Sequence, residues 1–142
     1  MEPAIWAKAH GAAVHFPIAL ALGSGALDAA GFALGERPPA RELHAAGYWM
    51  ILAGAVGSVP AVVSGLLMTK GSVLGHGALR LHHLFVWPAF TLLVGLAVWR
   101  VCTGPRAPRR IFAGYLLVAG ITAGLMSAAG YWGGEMVLAA LK

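Results

Sequence analysis

Six histidines punctuate an otherwise apolar chain, at positions 10, 15, 44, 76, 82 and 83. An imidazole that gives one ring N–H to a neighbouring acceptor keeps its other nitrogen free for a metal. Within a membrane such a side chain is costly enough to suggest a function by default. His15 stands in Val14-His15-Phe16-Pro17-Ile18-Ala19-Leu20, at the mouth of a long apolar run. Pro17 brings no backbone N–H, so a helix already running through Ala13 leaves that carbonyl free to take the His15 ring proton. A helix starting at Phe16 makes Pro17 an ordinary first-turn residue instead. Both registers fit the sequence.

Two carboxylates belong beside the histidines. Asp28 is the one acid deep in an apolar run. It reads as a proton or substrate site or a second-shell residue, or as the partner of Ser64 or Tyr48, or as a group near enough to the surface to be wetted. Glu135 follows Tyr131-Trp132-Gly133-Gly134 at the end of the last apolar run, where it either bonds a histidine N–H from the second shell or is solvated. Cys102 is the only cysteine, which excludes an intramolecular disulfide, a cysteine-based zinc site and the C-x-x-C-H attachment of c-type haem.

The elements that position these groups follow from composition. With 59% hydrophobic and 11% charged residues and a mean hydropathy of +0.77, the chain reads as an integral membrane protein. Its 142 residues leave room for about four spans of roughly 20 residues. Apolar stretches almost free of charge place them at about 13–34, 45–69, 81–101 and 111–131. Backbone pairing in lipid makes them helices. The short connections Gly35–His44, Lys70–Arg80 and Gly104–Arg110 force neighbours antiparallel, giving an all-α, membrane-spanning up-down four-helix bundle in a single transmembrane domain, residues 1–142.

Glu2 and a single early lysine do not make the basic n-region of a cleaved signal peptide, so the first span reads as mature structure. The net charge of +5 comes from Lys and Arg between apolar blocks, with no basic face for nucleic acid. Arg37, Arg41, Arg100, Arg106, Arg109 and Arg110 flank the first and third loops, against Lys8, Lys70, Arg80 and Lys142 on the other side. That excess puts the first and third loops in the cytoplasm and both termini outside. Gly31-Phe-Ala-Leu-Gly35 and Gly120-Ile-Thr-Ala-Gly124 are small-xxx-small patterns suited to close helix approach. Ala-Ala-Gly-Tyr-Trp, at 45–49 and again at 128–132, reads as interfacial anchoring at a helix start and a helix end. Pro60 and Pro88 are expected to kink the second and third helices.

In this arrangement His10 and His15 meet His76, His82 and His83 in one leaflet. The first and third helices lie diagonally across the bundle, separated by roughly 11–14 Å when neighbours are ~8–10 Å apart. Two imidazoles there suit the opposite faces of a haem b iron, with His15 as one axial ligand, His83 or His82 as the other, and His10 as a further candidate. Trp87 and Phe90 wall the ring or simply pack. Zinc needs three or four donors and hence more coincidences. His44 and His76 read as interfacial.

These residues resemble the DUF2231 family of bacterial four-helix membrane proteins. The family opening, approximately H-P-x-x-V-H-F-P-I-A-L, is matched from His10 to Leu20 with Gly11 in place of the proline. Asp28 fits the family acid, Ser64-Gly65-Leu66 its second-helix ending (with Met68 where an Asp is common), and His82 or His83 its third-helix opening. Gly130-Tyr131-Trp132-Gly133-Gly134-Glu135 echoes its closing G-W-x-G-G-E. The resemblance covers nearly the whole chain, which lacks the tail that follows that glutamate in the family. Fusion of some members to Rieske-type or cytochrome-type modules implies electron transfer.

The expectation is a haem b-binding membrane subunit that carries electrons between a periplasmic redox partner and quinone or a larger respiratory complex. No nucleophile and base are evident, so independent catalysis is not expected. The rivals are a non-redox structural or anchor subunit and a copper- or zinc-handling membrane protein.

Overall fold

The computed structural model describes residues 3–104 and 108–140. Glu2, Arg106 and Lys142, which entered the signal-peptide and charge arguments, lie outside the described residues. Four helices account for nearly everything else: α1 Pro3–Leu34, α2 Pro38–Met68, α3 Gly77–Thr103 and α4 Arg109–Ala140. Each is long and apolar enough to cross a membrane. The helices run well beyond the apolar windows, beginning about ten residues before the first and ending about nine after the last. Hydropathy reports the length in hydrocarbon, whereas helix formation continues until a backbone group cannot be satisfied.

Loop geometry sets these ends. Gly35 takes φ 65° and its N–H bonds the Gly31 carbonyl at 3.2 Å, a left-handed cap that closes α1. Arg37 is extended before Pro38, which starts α2 with its ring in the first turn. The first loop is therefore three residues, and His44 lies inside α2 rather than beside it. Pro17 lies inside α1, so the helix does run through Ala13.

α1 packs mainly along α2, and α3 along α4. The two hairpins then meet through α2 on α3 and α1 on α4, which leaves α1/α3 and α2/α4 as the diagonals. An apolar core of Ile51, Leu93, Leu96, Phe112 and Tyr115 fills the centre. Trp49, Val56, Leu117 and Val137 face outward, as side chains in lipid can. Gly120 and Gly124 also have open space above them, so this pair does not bring two helices of the chain together.

One contact ties the start of α4 to the end of α1. The Arg109 guanidinium sits 4.0 Å from the Phe32 ring centroid and donates to the Phe32 carbonyl at 3.3 Å. Replacing Arg109 with alanine is expected to cost about 0.5–1 kcal/mol, the usual worth of an exposed cation–π pair. Reversible unfolding in mixed micelles measures it.

Candidate functional site

The bundle carries polar chemistry at both ends. At the end formed by the first and third loops, Asp28 is fully buried in α1. Its Oδ1 accepts from His44 Nδ1–H of α2 at 2.9 Å and from Arg100 Nη2 of α3 at 3.2 Å. Arg100 is itself 3% exposed and also donates to the His44 carbonyl at 2.8 Å. Aromatic faces enclose its guanidinium: Phe112 at 5.0 Å, Tyr115 at 5.2 Å and Tyr48 at 5.9 Å. The Tyr115 hydroxyl of α4 lies near Ser24 and Asp28 but closes no hydrogen bond. All four helices thus contribute to one buried carboxylate–imidazole–guanidinium cluster. Nearby, Ser24 donates to the Gly47 carbonyl at 2.7 Å and draws α1 against α2.

Depth alone makes these residues meet. Asp28 lies six residues before the end of α1, while His44 and Tyr115 lie six after the starts of α2 and α4. At ~1.5 Å per residue each is about 9 Å from its helix end. Arg100, three residues from the end of α3, reaches the same level with its long side chain.

At the opposite end, where the chain termini and the second loop lie, histidines gather from α1 and α3. His10 Nδ1 is 2.8 Å from the Ala61 carbonyl and 3.4 Å from Ser64 Oγ. His82 Nδ1 is 2.8 Å from the Ala129 carbonyl. A carbonyl only accepts, so both rings donate from Nδ1, and in the neutral ring that tautomer puts the lone pair on Nε2. His82 is within electrostatic reach of His83 and His10. His83 is buried, its ring 5.8 Å from that of His82 and 6.2 Å from Trp87, and its Nδ1 has no partner. Among the described residues, no three His, Cys, Asp or Glu side chains come together as a metal-binding group.

The structure redistributes several expected roles. His15 is exposed, on a different face of α1 from His10, and its ring bonds the Gly11 carbonyl one turn back rather than the carbonyl of Ala13. Among the described residues, no hydrogen bond joins it to His82 or His83. Asp28 bonds neither Ser64 nor Tyr48, and it serves no histidine of the terminal end. From Asp28 back to His15 is thirteen residues, about 20 Å of helix. Ser64 instead bonds the Pro60 and Ala61 carbonyls beside His10. Glu135 and His76 are exposed. His44, partly exposed, turns its ring inward to bond Asp28. Arg100, counted as a loop charge, is its second partner. The first Ala-Ala-Gly-Tyr-Trp copy lies seven or more residues into α2, where Tyr48 faces Arg100. Trp87 donates to the Val73 carbonyl at 2.8 Å, tying the second loop to α3.

A multi-pass four-helix membrane protein with an ionic cluster shared by all four helices is the class this geometry defines. The chain belongs to the DUF2231 family, described as a predicted membrane protein, whose model matches residues 7–140. The resemblance carried by the His10–Leu20 and Gly130–Glu135 motifs is thereby borne out. No curated protein and no solved structure matches the chain.

Proposed function

We propose that the protein is a haem b-binding subunit of the bacterial inner membrane, with both termini periplasmic, that passes electrons between a periplasmic redox partner and quinone or a respiratory complex. One observation carries this reading: His10 and His82 come from diagonal helices, and each has its Nδ1–H taken by a backbone carbonyl of the neighbouring helix. That leaves two oriented Nε2 lone pairs, the donor set an axial pair requires. His10 thus takes the role expected of His15, and His83, with its unpartnered nitrogen, stands beside His82 as the alternative ligand on α3. Haem would supply one-electron chemistry; the chain's own contribution is to fix the tautomers and keep the rings from lipid. The excess of basic residues around the first and third loops supports the orientation. A copper or zinc site of three donors has less support, since no such group is present among the described residues.

Titrating the purified protein with hemin and recording absorbance before and after reduction tests the proposal. A Soret shift with sharp reduced α and β bands is expected in the wild type and in His15→Ala, and loss of those bands in His10→Ala and His82→Ala. A wild-type protein that gives no such bands with hemin overturns it. That result leaves a structural anchor, which the buried link of Asp28 to Arg100 favours as the second reading.

A further inference from the structure

The geometry points to Asp28 as an intramembrane proton-binding site that is loaded through His44 from the side of the first and third loops. This is independent of any haem at the other end. Asp28 is fully buried, whereas the His44 side chain is 25% exposed, so the imidazole joins the carboxylate to the outside of the bundle near the end formed by the first and third loops. The carboxylate is held unevenly. Both of its bonds fall on Oδ1, while Oδ2 is buried with no partner. The Arg100 Nε and the Tyr115 hydroxyl beside it are also buried and unpartnered. A permanent structural ion pair is expected to satisfy its lone pairs, because a buried polar atom left unmet loses its hydration with nothing in return. An acid that alternates between charged and neutral forms need not. The titratable and charged groups facing Asp28 are His44 from α2, Arg100 from α3 and Tyr115 from α4; Tyr48 of α2 faces Arg100.

The transfer is balanced by tautomer exchange. With Nδ1–H committed to Asp28, the free nitrogen of His44 is Nε2. A proton from water adds to Nε2 and gives an imidazolium. The Nδ1 proton then crosses the 2.9 Å bond to Asp28 Oδ1. The ring is left neutral with its proton on Nε2, and the new carboxylic O–H donates back to Nδ1. One proton is taken up and no electron moves. Arg100 is left with the His44 carbonyl and its aromatic neighbours, so loading the site loosens α3 from α1.

Asp28 is the only aspartate in the chain, so carboxyl ¹³C-aspartate labelling reports this group alone in the unaltered protein. Infrared spectra of the labelled full chain in liposomes, recorded across a pH titration, should show the carboxylate band giving way to a protonated carboxyl band. Transfer to D₂O at a pH where the acid form is present should shift that band rapidly. In His44→Gln, whose amide can still donate to Asp28 but cannot relay a proton, the exchange should slow about 100-fold, the low end of what a positioned proton-transfer group contributes. A label that stays carboxylate over the whole range in which the protein is folded overturns the proposal. Exchange that is equally fast in His44→Gln overturns His44 as the route.

Discussion

Asp28→Asn should destabilise the protein by about 3–5 kcal/mol, because it leaves the Arg100 guanidinium as a buried charge without a counter-charge. The amide can still accept from Arg100, but it no longer offsets the charge of a side chain that is 3% exposed. The aromatic faces of Phe112, Tyr115 and Tyr48 recover only part of this loss. The cause is specific and can be isolated with a second substitution. Arg100→Leu alone should be damaging for the converse reason, leaving a buried carboxylate with His44 as its one donor. Asp28→Asn combined with Arg100→Leu should be less destabilised than either single change, since no unpaired charge is left inside the bundle. Denaturant unfolding of the four proteins completes a double-mutant cycle. Additive losses would show that the two residues do not act through one another.

The second large effect is expected at Gly47. A β-carbon there would lie 2.8 Å from both Cγ and Oδ1 of Asp28 and 2.9 Å from Oδ2. The side chain that must give way is short and fully buried, and hydrogen bonds from two other helices pin it. Gly47→Ala should therefore cost about 1–3 kcal/mol, the range for overpacking a filled interior. It should also weaken the Ser24 bond to the Gly47 carbonyl as the helices part. Gly11, with nothing within 4 Å of its β-position, serves as the control, and Gly11→Ala should be neutral or mildly stabilising. Equal melting temperatures for Gly47→Ala and wild type would contradict the close approach of α1 and α2 at this level.

The architecture was legible because two strong constraints act on the sequence together: apolar runs of membrane length almost free of charge, and connections too short for anything but antiparallel neighbours. The Asp28 cluster was legible only by half. An acid deep in an apolar run announces itself, but its partners are sixteen and seventy-two residues away. Arg100 and His44 both fall near the edges of the apolar windows, where charged residues usually belong to loops. Only the extra helical length at the start of α2 places His44 inside, and Arg100 sits one residue from the end of its window. Matching each residue's distance from its helix end would have brought Asp28, His44 and Tyr115 to one level.

At the terminal end, the sequence marked out the histidines of α1 and α3, and the structure shows how they sit: His10 bonds α2, His82 bonds α4, and His15 is exposed. Pro17 and Ser24 are buried on α1, and stepping back seven residues from each points to His10 and Pro17, with His15 on another side of the helix. The seven-residue step is a sequence spacing, but which face of α1 is buried is seen only in the structure. Which histidine bonds a neighbouring helix depends on how each helix is rotated about its own axis. No residue spacing within a single helix encodes that rotation.

The polar links between the hairpins are unevenly distributed along the bundle. His10 bonds within the α1–α2 hairpin and His82 within the α3–α4 hairpin. The bonds that cross from one hairpin to the other, Arg100 to Asp28 and to the His44 carbonyl and Arg109 to the Phe32 carbonyl, sit at the loop end. At the other end the chain itself makes the join: the second loop carries α2 into α3 and is tied there by the Trp87 bond to the Val73 carbonyl. The two halves are thus laced by polar bonds at one end and by the backbone at the other.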